Sequence, residues 1–364
     1  MKIPDRSRTP RTLAVALAAA SALAVSACGS SSDSGKDSAA AAKPASTTAA
    51  QPAAEYTGRD AKLPNAYPAP EKKPGTKFKV GYLQIYSAVN VLRAEQEGAA
   101  AEVKALGGEM IVKDAALNLQ KQAAQFDELI AEGVDAIVVY PVVPETLVPS
   151  LKKAKAAGIP VISTNARPDV SKPLIPGYLS DVEQAIDYEA WSLAQAMSKA
   201  KPGGSFAVIG LAVPVQALRF LSTRQEVYAK QAGMKFAGRV DVKEDTPAGY
   251  GAAMTALLGK YPDVDTVFTY SDILALSAEP VARSSGRSDV LIAGAAGGTK
   301  AMHAAIKAGR IKMTYQIPWR ETGAQMIRGA YLAVTKQHLP LPETITLKGN
   351  IITTDNVDEF TPVD

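Results

Sequence analysis

Apolar and polar positions follow two alternating rhythms along most of the chain. From residue 78 to 85 the run FKVGYLQI is apolar over strand length, with Gly81 inside it. Polar loop residues Tyr86, Ser87 and Asn90 follow. Leu92, Ala99, Val103 and Leu106 then recur at helical spacing, with Glu95, Glu97, Glu102 and Lys104 on the other faces. A strand that is apolar on both sides of its pleat belongs inside a parallel sheet covered on both faces. The same unit repeats. Strands are predicted at 110–112, 136–140, 159–163, 206–211, 240–242, 266–270, 290–293, 312–316 and 345–352. Helices are predicted after Asn118 and over 145–157, 182–200, 216–232, 248–260, 274–283, 300–307 and 321–334. A polar, proline-bearing loop at 164–176 interrupts this alternation. The fold class is therefore α/β, with two similar doubly wound arrays in succession and a cleft between them. Loops at the carboxyl ends of such strands are where open α/β sheets bind ligands.

The first residues follow neither rhythm. Lys2, Arg6, Arg8 and Arg11 precede an apolar stretch at 13–25, and small residues lead to Cys28. This order of charged, apolar and small residues is that of a secretory signal. The apolar stretch is shorter than the roughly 20 residues a comfortable membrane span needs. The sequence VSACG at 25–29 resembles a bacterial lipobox, which implies cleavage before Cys28 and a diacylglycerol on its sulfur. Residues 29–76 are rich in Ser, Ala, Pro, Thr and Lys, and they read as a disordered tether.

Composition narrows the chemistry. The chain has 364 residues, 47% of them hydrophobic, and a net charge of +4. The charge is spread out, without the basic run or the aromatic and basic interleaving that nucleic acid requires. With one cysteine no intramolecular disulfide forms, so the core holds the fold. The two histidines, His303 and His338, stand far from any nucleophile motif. No metal spacing, phosphate loop or dinucleotide fingerprint appears, so neither an enzyme nor a cofactor is expected.

From residue 77 to 360 the chain resembles the type 1 periplasmic binding proteins, especially the ribose/galactose-type solute-binding proteins of ABC importers. The resemblance rests on VGYLQIYSAVN at 80–90, EGVDAIVVYPV at 132–142, AGIPVISTN at 157–165, YPDVDTVFTYSD at 261–272, SDVLIAG at 288–294 and QIP at 316–318. It implies two Rossmann-like lobes joined by a three-segment hinge and closing on a ligand. The N-terminal lobe would comprise 77–179 and 317–346, and the C-terminal lobe 180–316 and 347–364. By the same resemblance the ligand residues are Tyr86, Ser87, Asn90, Asn165, Arg167, Arg219, Arg224, Ser271, Asp272, Gln316 and Trp319. The choice between Arg219 and Arg224 as the sugar-clamping arginine stays open. Two carboxylates usual in pentose and hexose binders are absent. Asn165 replaces one, and Ala295 to Gly298 stand where the other belongs. A small, neutral, hydroxylated solute is therefore expected rather than an ordinary aldohexose. The implied partners are that solute, an ABC permease, and the membrane through the lipid alone. The protein would be an extracytoplasmic monomer. A ligand sensor for a membrane signalling partner, or a nucleoside or quorum-signal binder of the same fold, is the alternative.

Overall fold

The structure is a computed structural model that describes residues 55–73, 75 and 77–364. The expected signal, Cys28 and the first part of the tether lie outside the described residues. The chain opens with β1 (Lys79–Gln84), α1 (Asn90–Leu106), β2 (Glu109–Asp114) and α2 (Leu119–Ala131). Next come β3 (Ala136–Val139), α3 (Val148–Ala156), β4 (Val161–Thr164) and β5 (Ser180–Glu183). Then follow α4 (Ile186–Ala200), β6 (Ser205–Leu211), α5 (Gln216–Gln231), β7 (Lys235–Val242) and α6 (Pro247–Lys260). The run continues with β8 (Thr266–Phe268), α7 (Asp272–Ser284), β9 (Leu291–Ala293), α8 (Lys300–Lys307) and β10 (Met313–Gln316). It ends with α9 (Trp319–Thr335), β11 (Thr344–Thr346) and β12 (Asn350–Thr353).

The strands form two six-stranded sheets, ordered β11-β5-β4-β3-β1-β2 and β12-β10-β9-β8-β6-β7. All neighbours run parallel except β12, which is antiparallel to β10. Successive strand residues feed opposite faces of the first sheet, as the pleat requires. Tyr82 and Val138 join the core beneath α1 and α9, whereas Leu83 and Val139 pack against Phe126 and Leu151 on the other side. The helices α1 and α9 approach to backbone contact. A Cβ on Gly98 would stand 1.9 Å from the carbonyl oxygen of Arg320, and one on Gly323 would stand 1.9 Å from that of Glu95. Helix ends follow local chemistry. The side chain of Asn118 caps α2 by accepting from Lys121 N at 2.8 Å, and Gly107 ends α1 in the left-handed region at φ 77°.

The lobes are joined where β5 leads to α4, where β10 leads to α9, and where β11 leads to β12. One crossing and one strand differ from the expected ones. The segment at 180–183 is a buried strand of the first sheet, so the first crossing follows Glu183 instead of Leu179. The helical reading failed there because Val182 and Ile186 fit a helix face equally well. The single strand expected at 345–352 is two strands, one in each sheet, and its middle is the third crossing. Glu183 ties this hinge together. Its Oε1 accepts from Ile186 N at 2.7 Å, and its Oε2 accepts from Ala185 N at 2.6 Å and from Thr346 Oγ1 at 2.7 Å.

Residues 55–73, expected within the tether, pack on the body instead. Tyr67 is buried, shares a 2.7 Å hydrogen bond with Ser180 Oγ, and takes Gln325 Oε1 on its backbone N–H at 2.9 Å. The oxygen of Pro64 accepts from Thr346 N at 2.8 Å. Tyr56 lies edge-on to Tyr188 at 5.1 Å, against the second lobe. The strap therefore touches both lobes at the hinge. Its buried aromatic anchor is what composition averaged over the whole segment concealed.

Candidate functional site

The carboxyl ends of the strands face each other across one cavity of about 230 Å³. The first lobe contributes Ile85, Tyr86 and Asn90 after β1, Leu117 after β2, and Tyr140 after β3. The second lobe contributes Leu211 at the end of β6, Asp245 after β7, Tyr270 to Ile273 around the start of α7, and Ala296 and Thr299 after β9. Gln184 and Trp319 come from two of the hinge crossings, Glu189 from α4 and Asp364 from the tail. Most of the wall is apolar or aromatic.

Five of the eleven expected residues meet here. Tyr86, Asn90, Ser271, Asp272 and Trp319 line the cavity. Ser271 caps α7, accepting from Leu274 N at 3.3 Å. Trp319 is buried at the start of α9 and donates from Nε1 to Gly297 O at 3.2 Å. Asp272 is buried and accepts from Gly298 N at 2.7 Å, Thr299 N at 3.3 Å and Thr314 Oγ1 at 2.5 Å. In the glycine-rich stretch after β9 the amides of Ala296, Gly298 and Thr299 go to carboxylates, whereas Gly297 N donates to Tyr315 O. Ala296, held in the left-handed region at φ 47°, donates to Glu189 Oε1 at 2.7 Å.

The other six stand elsewhere. Ser87 turns to Asp114 and closes the loop after β1. Asn165 is buried one layer behind the wall, in the left-handed conformation that asparagine tolerates. Its Nδ2 donates to Tyr140 at 3.1 Å and to Gln184 Oε1 at 2.7 Å, so it positions two lining residues without reaching the cavity. Arg167 is drawn to the lead-in of β11, pairing with Glu343 at 3.0 Å and donating to Lys172 O at 3.1 Å. Arg219 faces a separate shallow groove beside Arg167. Arg224 pairs with Asp187 and stacks 4.3 Å over the ring of Tyr228, between α4 and α5. Gln316 donates to Thr361 O at 2.8 Å and meets His303 Nε2 at 2.9 Å, which fixes the tail rather than the cavity.

Sequence reasoning missed Tyr140, Gln184, Glu189, Asp245 and Asp364. Tyr140 and Asp245 follow strands, so the carboxyl-end rule could have found them. Glu189 reads as an ordinary helix residue and Asp364 as an acidic end, and neither carries a local signal. Buried carboxyls dominate the electrostatics. Burial pushes Glu189 up to about 8, Asp272 to about 6 and Glu95, behind the wall, to about 7. Among the described residues no group of three or more His, Cys, Asp or Glu is arranged to hold a metal, and no helix is long and apolar enough to cross a membrane.

A family model described as the periplasmic binding protein domain matches residues 83–338. The chain belongs to the periplasmic binding protein family. Among curated relatives it is 27% identical over 215 residues to the xylitol-binding protein of Mycolicibacterium smegmatis, covering 58% of this chain and 59% of that protein. It is 26% identical over 202 residues to the D-apiose import binding protein of Paraburkholderia graminis, covering 56% and 64%. The chain thus spans about three-fifths of the length of these relatives. A solved ABC transporter solute-binding protein from Mycobacterium smegmatis, with bound glycerol, superposes with a TM-score of 0.69 at 23% identity, over 78% of this chain and 96% of that one. The two-lobed α/β fold expected from the resemblance is the fold of these binding proteins.

Proposed function

We propose that this periplasmic binding protein is the extracytoplasmic solute receptor of an ABC importer, held to the membrane by a lipid on Cys28. It captures a small hydroxylated solute of the sugar and polyol kind for which its relatives are named. The observation that carries this reading is the cavity walled by strand ends of both lobes, with Gln184 and Trp319 coming from two of the three crossings between them. Such a site is completed only when the lobes approach, so binding and closure are one event. Tyr86 and Trp319 supply apolar faces, while Asn90, Ser271, Asp272 and Glu189 supply polar contacts. Arg167, Arg219, Arg224 and Gln316 are left out of the contact set. No group in this arrangement pairs a nucleophile with a base, and the permease, not the receptor, moves the solute.

A thermal-shift screen over sugars, polyols and nucleosides identifies the solute, because ligand that binds only the folded state raises the melting temperature by mass action. Small-angle scattering at saturating ligand then reads closure. An unchanged radius of gyration with a bound ligand would exclude hinge closure. Replacing Cys28 by Ser should move the protein from the membrane to the soluble fraction, and unchanged fractionation would exclude the anchor.

A further inference from the structure

The cavity wall carries four carboxylates from four parts of the chain, Glu189, Asp245, Asp272 and Asp364, and no lysine or arginine. The three arginines expected at the ligand stand outside it. The wall's nitrogen donors are also directed into the protein. Asn90 donates to Asp364 at 2.8 Å, Gln184 to Glu95 at 3.1 Å, and Trp319 to Gly297 O at 3.2 Å. The hydroxyls of Tyr250 and Tyr270 both go to Asp245, at 2.8 and 2.6 Å. What the cavity offers a solute is therefore carboxyl acceptors, the hydroxyls of Tyr86, Tyr140, Ser271 and Thr299, and apolar wall, without a cationic donor. The least satisfied acceptor is Glu189. It is 1% exposed, its Oε1 takes the one amide of Ala296, and no described residue donates to its Oε2. Asp272, by comparison, takes three donors.

Resting on the solute-receptor reading, we propose that the solute is an amino-deoxy member of the hydroxylated class, with its protonated amine seated at Glu189 Oε2 and an apolar flank against Trp319 and Tyr86. A neutral polyol can also donate to such carboxyls, but it brings no charge to pair with Glu189 Oε2. An ammonium supplies donors only and cancels charge in a cavity with low-dielectric walls. Its arrival also moves a proton. Asp272, Glu183 and the hydroxyls of Tyr140 and Tyr315 face Glu189, and among the described residues no cation does. Burial holds this carboxyl up to about 8, so at neutral pH it carries its proton and gives it to solvent when an ammonium pairs with it.

The test uses the full chain and matched probes, read by calorimetry: glucosamine with glucose, 1-amino-1-deoxysorbitol with sorbitol, and 2-phenylethylamine with 2-phenylethanol. At least one amine should bind about tenfold or more tighter than its partner, as a charge-assisted contact does over a neutral one. Glu189→Gln should reduce that preference to about threefold or less. Repeating the titration in buffers of different ionisation enthalpy should show up to one proton released per amine bound, a readout that needs no variant. If every amine binds no tighter than its partner, including not at all, or if the preference survives in Glu189→Gln with no proton released, the assignment is overturned. Glucose, sorbitol, ribose or xylitol compacting the protein while the amines stay silent would overturn the amine and leave the receptor standing. A probe that binds without compacting the protein would count against the receptor reading instead.

Discussion

Asn90 Nδ2 donates to Asp364 Oδ2 at 2.8 Å, joining the first residue of α1 in one lobe to a tail seated on the other. The second oxygen, Asp364 Oδ1, accepts from Lys300 N at 2.7 Å at the start of α8. One carboxylate thus bridges a side chain that moves with the first lobe and a helix N-terminus in the second. A partly buried hydrogen bond to a charged group contributes about 1–3 kcal/mol. Asp364→Ala should free the Lys300 amide and raise its hydrogen-exchange rate by about fivefold or more. Asn90→Ala should leave that amide protected but widen the average lobe separation in scattering. Equal protection of Lys300 in wild type and Asp364→Ala would remove the bridge from the closing mechanism.

The strap at 55–73 makes a second, independent prediction. Tyr67 is buried beneath α9, where a Cβ on Gly329 would meet its ring at 2.8 Å. Tyr56 is half-buried against Tyr188 and Trp191 at the start of the second lobe. Tyr67→Ala should cost about 3 kcal/mol of stability by the usual scale for aromatic truncation in a core. Tyr56→Ala should cost about 1 kcal/mol and act mainly on the hinge, since its ring packs only on α4. Chemical denaturation measures both. A Tyr67→Ala protein as stable as wild type would return this segment to the tether.

The strands and helices were legible because each carries its own periodicity and its own stop. Asn118, Gly133 and Gly158 end or begin elements as elementary backbone chemistry requires. The site was legible only where a residue directly follows a strand. Tyr86, Asn90, Ser271, Asp272 and Trp319, each in the connection that follows a strand, obey that rule. The arginines did not, because a long side chain near a strand end can turn either way, and Glu343, Lys172 and Asp187 drew Arg167 and Arg224 aside. Glu189 and Asp364 reach the cavity through helix packing and the path of the tail. Such long-range geometry leaves no local trace. The break at Glu183 was hidden by an ambiguity between two periods over four residues.

Gly297 holds the wall after β9 against Asp272. A Cβ there would lie 2.0 Å from the Asp272 carboxyl carbon, which is itself fixed by Thr314 and two loop amides. Neither side can yield without breaking those bonds. Gly297→Ala should destabilise the protein by about 2 kcal/mol or more and abolish solute binding at temperatures where the fold survives. Gly259→Ala is the control, because nothing lies within 4 Å of its Cβ position. There, in the last turn of α6, the protein should keep its stability or gain a fraction of the roughly 1 kcal/mol that separates Gly from Ala inside a helix. Gly297→Ala with wild-type melting and binding would show that the loop is free to move.

Stability should fall as pH rises from 5 to 8.5. Burial raises Glu95 to about 7, and Glu183 and Glu189 to about 8, from an ordinary value of 4.5. In each case the native state holds a proton that the unfolded chain has already lost above pH 5. The stabilisation is therefore complete below the unfolded value, and it drains away as pH climbs through the native one. A carboxyl raised from 4.5 to about 8 accounts for at most roughly 5 kcal/mol over this window. Carboxyls held low by hydrogen bonds, such as Asp265 with Ser205 and Asp364 with Lys300, do not oppose the trend. Their contribution is already complete above pH 5. Urea unfolding of the ligand-free protein should give a steadily falling free energy between pH 5 and 8.5, and Glu189→Gln should flatten the slope by removing one of the raised carboxyls. A profile that is level or rises across this range would mean that these carboxyls are ionised in the native protein.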